Sequence, residues 1–269
     1  MRAARFVLLG IGVGLVALST VGADDDKAFT VTARKRAATA PAAAVEFERT
    51  IDPTKTAVVV CDMWDDHWCQ SASRRCAVLA KQAEPVLVAA RAKGMTVVHA
   101  PSDCMAFYAD HPARKRTLAV EKAVPPKPLD RPDPPLPIDD SDGGCDDVPP
   151  AKFSKAWTRQ HPAITIDPDR DYISDSGAEV YSVLKAKGLT TLVVMGVHTN
   201  MCVLKRTFAI KQMTRWGVDV LLVRDLTDAM YNPKMKPFVP HDAGTELVVQ
   251  YIEAHWCPTV AAKALAGTK

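Results

Sequence analysis

The chain has 269 residues, 48% of them hydrophobic and 24% charged, with a formal net charge of +3. Those proportions suit one domain with a sizeable core. The near-neutral balance argues against nucleic acid or an anionic membrane as partner.

In chain order, residues 1–23 read as a secretory signal peptide. Arg2 and Arg5 form a basic start, Phe6 to Val21 is apolar, and Val21-Gly22-Ala23 supplies small residues before Asp24-Asp25-Asp26. The apolar run is marginal for spanning a bilayer, so an uncleaved anchor fits less well. Cleavage after Ala23 removes Arg2 and Arg5 and lowers the charge to +1. The mature protein is expected to be secreted or periplasmic. Residues 24–50, rich in Ala, Lys and Arg, read as an irregular lead-in. The domain proper spans 51–260, and 261–269 are a C-terminal tail.

Ala57 to Cys61 is a continuous apolar run, the pattern of a strand buried on both faces of a parallel sheet. Cys76 to Lys93 has helical periodicity and stops at Gly94, and Met95 to Ala100 is the next strand, closed by Pro101. The alternation then breaks over about 101–163, a long insertion with Pro-rich runs (Val124 to Pro137) and the acidic loop Asp139 to Asp147. A connection of that length is expected to cover or shape a site. Alternation resumes with a weak strand at Asp171 to Ser174, a helix at Ala178 to Lys187 and a strand at Thr190 to Met195. A helix at Cys202 to Trp216, a strand at Val218 to Val223 and a helix at Thr245 to His255 complete the pattern. Strands alternating with helices predict a parallel sheet covered on both sides, with ligands at the carboxyl ends of its strands.

Seven cysteines stand at 61, 69, 76, 104, 145, 202 and 257. In an oxidising compartment an odd count leaves one unpaired in a monomer. Cys69 with Cys76 is the first pairing expected and Cys104 with Cys145 the second, while Cys202 is the candidate free thiol. No C-x-x-C spacing points to zinc.

Cys202 follows the apolar strand and a short turn, Gly196-Val197-His198-Thr199-Asn200-Met201. At a helix N-terminus a thiolate is favoured, and the backbone N–H groups there can receive an oxyanion. A buried core cysteine is the other reading of the same residue. Asp62 ends the first buried strand, where it could take a thiol proton and return it to a leaving amine, or simply cap a turn. Both residues fall at carboxyl ends of strands.

Together, Ala57 to Asp62 and the run Gly196 to Val203 resemble the isochorismatase-like cysteine hydrolase superfamily, which includes nicotinamidases and N-carbamoylsarcosine amidohydrolases. The resemblance implies an α/β fold, a three-layer α/β/α sandwich with a mostly parallel sheet, here carrying the long Pro-rich insertion. It also implies a Cys–Asp–Lys triad, with Cys202 as nucleophile and Asp62 as general base. A cis peptide between Val197 and His198 would aim the His198 N–H, with that of Cys202, at the oxyanion. The sequence departs from the pattern at the lysine: Ser174 or Asp175 stands near its slot, or Asp167 if the strand is Ile164 to Ile166. Asp175, Arg170, Arg159, Lys152 and Lys155 are the substitutes weighed. The Asp-x-His metal pair of nicotinamidases is broken at Ser102-Asp103-Cys104-Met105, although Asp110, His111, His67 and His99 lie near in sequence, so neither a metal nor another cofactor is expected. Trp64 and Trp68 are candidate pocket walls.

The leading expectation is a secreted cysteine hydrolase that cleaves a C–N bond of a small amide or ureide through a Cys202 thioester. The alternative is a catalytically impaired member of the fold that binds a small molecule or partner protein. A third reading pairs Cys202 with Cys61 or another resolving cysteine in redox work. The partner expected is a small-molecule substrate, with self-association into a homo-oligomer as a family habit.

Overall fold

A computed structural model describes residues 28–38, 43–149 and 151–266. The signal peptide expected over 1–23 lies outside these residues. One eight-stranded sheet organises them, in the order β2-β1-β8-β7-β6-β3-β4-β5. The central strands β3 (Thr56–Cys61), β4 (Thr96–Ala100), β6 (Thr191–Val197) and β7 (Asp219–Asp228) run parallel, with the two-residue strands β5 (Tyr172–Ile173) and β8 (Thr259–Val260) parallel beside β4 and β7.

Every residue of β3 and β4 is buried, because helices cover both faces. Ala57, Val59 and Cys61 pack into one layer with α3 (Gly177–Ala186), α5 (Ile210–Arg215) and α6 (His241–His255). Val58 and Val60 alternate into the other, against α1 (Gln70–Lys93) and α7 (Ala262–Ala266). The result is the three-layer α/β/α arrangement. Connections leave β3 and β6 in opposite directions across the sheet, so the loops after these neighbours meet at a switch point.

Three readings of the sequence are corrected. The lead-in 24–50 is not irregular throughout: β1 (Phe29–Lys35) and β2 (Val45–Ile51) form an antiparallel hairpin, and β1 extends the sheet by pairing with β8. Val31, Ala33 and Ile51 are buried, which is period-two patterning in a short window. The tail contains α7, whose Leu265 is fully buried. Finally, the helix expected over Cys202 to Trp216 is two, α4 (Cys202–Lys205) and α5, with Arg206 extended between them at φ −61°, ψ 149°.

The insertion holds one helix, α2 (Pro112–Leu118), and is otherwise laid over the body by side-chain and backbone hydrogen bonds. The Tyr251 hydroxyl donates to the Pro134 carbonyl at 2.7 Å, and the Leu129 N–H to the Arg215 carbonyl at 2.7 Å. Its far end forms a ribbon with the segment after β3: His161 N–H to Met63 O at 2.7 Å and Asp65 N–H to Arg159 O at 3.0 Å.

A buried network ties this edge to α1. Arg91 and Asp171 pair at 2.7 Å, and His99 sits between Gln160 Oε1 and Asp171 Oδ2, each at 2.9 Å. Burial alone would push the Asp171 carboxyl up, but hydrogen bonds from His99 and Arg91 hold it at about 2. Asp171→Ala is expected to cost about 3–5 kcal/mol in urea denaturation at neutral pH, since it strands Arg91 without its partner. The wild-type contribution is present above the ordinary carboxylate range and fades as pH falls toward about 2. A loss under about 1 kcal/mol would show that the network is not structural.

Candidate active site

Asp62 follows β3 in the left-handed region, at φ 47°, and is fully buried. Its Oδ1 accepts from the Ser102 N–H at 2.7 Å and its Oδ2 from Arg206 Nε at 3.0 Å. The Cys202 thiol lies against the same carboxylate within side-chain hydrogen-bonding reach. Cys202 is the first residue of α4 and is partly exposed. The strands that deliver these groups are neighbours, with Cys61 opposite Gly196. Gly196 stands at φ 123°, and a Cβ there would fall 2.0 Å from the Cys61 carbonyl oxygen, so only glycine lets β6 approach β3 this closely.

The loop between β6 and α4 is locked from two sides. The Val197–His198 peptide is cis. Thr199 donates its N–H to the Asp228 carbonyl at 2.9 Å and its hydroxyl faces that of Thr227 at 2.7 Å. Asn200 exchanges two hydrogen bonds with the Met230 backbone and donates to Asp140 of the insertion at 2.8 Å. The His198 backbone N–H is near enough to the Cys202 sulfur to favour its thiolate, as the smallest of the influences on it. The His198 imidazole is buried, which together with nearby His67 pushes its pKa down to about 3, so the ring is neutral near pH 7.

Burial, then the negative charge of Asp62, push the Cys202 thiol far above the ordinary thiol range, with Arg206 opposing. This reverses the thiolate expected from a helix N-terminus: α4 has only four residues, too few for a strong dipole, and a carboxylate stands beside the sulfur. Burial also raises the Asp62 carboxyl, with Arg206 as the largest opposing influence. The thiol is therefore neutral at rest, and Arg206 is the largest influence favouring the ionised form of Asp62 beside it. Arg206 stays charged: burial works against its guanidinium, but Asp62 outweighs it and raises the pKa.

Arg206 is the cation that the sequence reading missed. Arg159 instead reaches Asp65 at 3.8 Å and lies over the Phe107 ring, and Arg170 pairs with Asp167 at 2.7 Å. Asp175 accepts from the Asp103 N–H at 3.1 Å, and Lys155 donates to the Asp103 carbonyl at 2.7 Å. Arg206 follows the last residue of α4 in extended backbone, so helical spacing from Cys202 does not point to it.

Cys202 packs against a cluster that holds Trp64, Trp157, Tyr108, Cys104 and Ile173. Trp64 stacks on Trp157 at 4.4 Å, and Trp68 meets Phe153 edge-on at 5.8 Å. Trp157, Tyr108 and Phe153 come from the insertion, where no periodicity marked them. His67 lies between these rings and His198, its own ring 5.0 Å from that of His198.

Both expected disulfides are corrected. Cys69 bonds to Cys145, across 76 residues, while Cys76 and Cys104 are free and buried. Cys69 caps the start of α1 and faces the insertion, whereas Cys76 turns its sulfur inward toward the Trp64 carbonyl at 3.8 Å. Asp147 draws α1 back to Gln70 by accepting the N–H groups of Gln70 and Ser71 at 2.7 and 2.9 Å. Among the described residues, Cys69, Cys145 and Asp147 group potential metal-ligand atoms within 4.8 Å, but the two sulfurs are joined to each other. Elsewhere His111 caps α2 and Asp110 pairs with Lys115 at 3.0 Å. Cys145→Ser is expected to lower stability under non-reducing conditions by about 4.5 kcal/mol, the chain-entropy value for a loop of this length. A non-reducing peptide map that joins Cys69 to Cys76 would overturn the assignment.

No family model and no curated protein matches the sequence. Solved structures do. A cysteine hydrolase from Pseudomonas syringae pv. phaseolicola 1448A is 18% identical with a TM-score of 0.50, over 81% of this chain and 93% of that one. An isochorismatase family protein from Burkholderia thailandensis is 17% identical at 0.44, over 81% and 96%. N-carbamoylsarcosine amidase from Thermoplasma acidophilum is 14% identical at 0.41, over 77% and 96%. At these identities the likeness is one of fold, and the first of the three carries it.

Proposed function

We propose that this chain, which has the isochorismatase-like α/β fold, is an exported cysteine hydrolase that cleaves the C–N bond of a small amide or ureide. The observation that carries the reading is the convergence of Cys202, Asp62 and Arg206 at the carboxyl ends of β3 and β6, with Arg206 Nε 3.0 Å from the Asp62 carboxylate. A nucleophile, a base and a cation meet there, with the His198 amide N–H beside the sulfur.

In the proposed reaction Asp62 takes the Cys202 proton as the sulfur attacks the substrate carbonyl carbon. The oxygen gains the negative charge and is received by the N–H groups of His198 and Cys202. Asp62 then gives its proton to the nitrogen, the C–N bond breaks, and ammonia or an amine leaves a thioester on Cys202. Water, deprotonated by Asp62, attacks the thioester; the C–S bond breaks and the thiol recovers its proton. Arg206 holds the Asp62 carboxylate in place and keeps it ionised between steps. Trp64, Trp68 and Trp157 wall the acyl side of the substrate.

Export is supported by the signal-like residues 1–23 and by the Cys69–Cys145 disulfide, which an oxidising compartment preserves. Among the described residues no helix is long and apolar enough to cross a membrane. The test is ammonia release from a panel of primary amides and N-carbamoyl compounds, with intact-mass detection of an acyl group on acid-quenched protein. Turnover with an adduct mapped to Cys202 supports the reading. Turnover that persists in Cys202→Ala, or an adduct on another cysteine, would sink it.

A further inference from the structure

The turn that carries Cys202 rests on the segment Asp228-Ala229-Met230-Tyr231, where β7 ends. Thr199 takes the Asp228 carbonyl, and Asn200 takes both backbone groups of Met230. The other two residues are held by the N-terminal part of α6. The Ala229 N–H donates to the Thr245 hydroxyl at 3.1 Å, and the Tyr231 carbonyl lies 2.9 Å from His241 Nδ1. His241 Nε2 lies 2.8 Å from Asp228 Oδ1, so a single ring joins the two ends of the segment.

Both ring nitrogens therefore meet acceptors. A carbonyl oxygen only accepts, so Nδ1 carries a proton. Asp228 takes the Arg75 Nε on its other oxygen at 2.9 Å and is a carboxylate, so Nε2 carries the second proton. Burial works against charge on both groups. The bond between them nonetheless raises the pKa of the ring and, with Arg75, holds the Asp228 carboxyl below its ordinary range. Around the ring stand Asp228 of β7, Asp146 of the insertion at 3.7 Å, Arg75 of α1 and the uncharged His198 of the Cys202 turn. Asp242 follows it in the first turn of α6. Arg75 and the positive end of α6 oppose the charge on the ring, and the carboxylates support it.

We propose that His241 is a positioning residue for the Cys202 reaction: its imidazolium clamps Asp228 to Tyr231, which fixes the turn presenting the His198 and Cys202 N–H groups, and loss of one proton opens the clamp. In the neutral ring one nitrogen becomes an acceptor facing an acceptor oxygen, and that contact is lost. The proposal rests on the hydrolase reading for its rate readout. The hydrogen bond from the Thr199 N–H to Asp228 supplies a readout that needs no turnover.

The test follows three quantities from acid to alkaline pH: kcat/KM, the His241 ring titration by NMR, and the exchange protection of the Thr199 amide. In wild type the ring is expected to titrate above the ordinary histidine range. Since the clamped form is the protonated one, kcat/KM and Thr199 protection should both fall as pH rises through that same midpoint. His241→Gln keeps one donor group but no charge. It should lower kcat/KM about tenfold near neutral pH, lack the alkaline limb and meet the wild-type rate above it. His241→Arg is charged throughout and should recover part of the rate, again without the limb. A merely structural histidine would lower the melting temperature on substitution and leave the limb in place. An alkaline limb that persists in His241→Gln, a ring that titrates at or below the ordinary range, or Thr199 protection unchanged through the titration would each overturn the proposal. Should His241→Gln fail to fold, agreement or disagreement of the three wild-type midpoints decides. Should wild type turn over no amide, the hydrolase reading falls and Thr199 protection decides the clamp by itself.

Discussion

Cys202→Ala is expected to abolish amide turnover, with kcat/KM down by at least about a thousandfold and the melting temperature little changed. The reason is that no other group at the meeting of β3 and β6 can form the acyl intermediate. Cys61 is fully buried, with its sulfur directed at the Val197 carbonyl at 3.8 Å. Asp62→Asn gives the sharper result, because two readouts move in opposite directions. Turnover should fall as far as in Cys202→Ala, since the amide cannot take the thiol proton. Alkylation of Cys202 should nevertheless become faster at a given alkaline pH. Burial and the Asp62 charge are what hold the thiol above its ordinary range, and the variant removes the second of these. A core cysteine with no partner would show neither change. If Asp62→Asn slows alkylation, the carboxylate is not raising the thiol, and the proposed base assignment fails with it.

The parts of the fold that the sequence announces are those whose burial is symmetric. β3 is six consecutive buried residues and reads directly as Thr-Ala-Val-Val-Val-Cys, and β6 likewise. The residues that end them, Asp62 and the Gly196 to Cys202 turn, are legible for the same reason: a strand buried on both faces leaves its functional group at the next residue. The hairpin of β1 and β2 is harder to see, because its strands are short and only two of seven residues in β1 and one of seven in β2 are buried.

The segment after Cys202 is the instructive failure. Val203, Leu204, Phe208, Ala209, Ile210 and Met213 are all buried, so apolar spacing suggests one unbroken helix. The chain instead leaves the helix at Arg206 and restarts at Ile210. Gly177 accommodates that turn: a Cβ at this position would lie 2.1 Å from the Thr207 carbonyl oxygen, and its N–H donates to the Thr207 hydroxyl at 2.9 Å. The break and the unread cation are therefore one event. Arg206 departs from helical geometry where it reaches Asp62, a residue 144 positions away, and local periodicity carries no trace of such a partner. The disulfide was misread for a similar reason. Cys69 and Cys76 are close in sequence, but α1 begins at Gln70 under the Asp147 cap and turns their sulfurs to different surroundings.

Arg206→Gln should lower kcat/KM by about a hundredfold and displace the acid limb of its pH profile to higher pH. The direction follows from Asp62. Burial raises that carboxyl and Arg206 is the largest influence pulling it back, so loss of the cation lets it rise further. Asp62 must be ionised to take the thiol proton, and a higher pKa means that activity is lost at a less acidic pH. Stability should move in step. At neutral pH the variant holds a buried carboxylate without its partner and is less stable than wild type. As pH falls and Asp62 is protonated, that deficit closes, because a neutral carboxyl needs no cation. Arg206→Lys keeps the charge and should bring the acid limb back toward wild type. It recovers only part of the rate, since an ammonium point charge does not reproduce the Nε geometry at Asp62. A merely structural arginine would lower stability at every pH and leave the acid limb where it was. That profile, measured on all three proteins, decides whether Arg206 occupies the place that the family pattern gives to lysine.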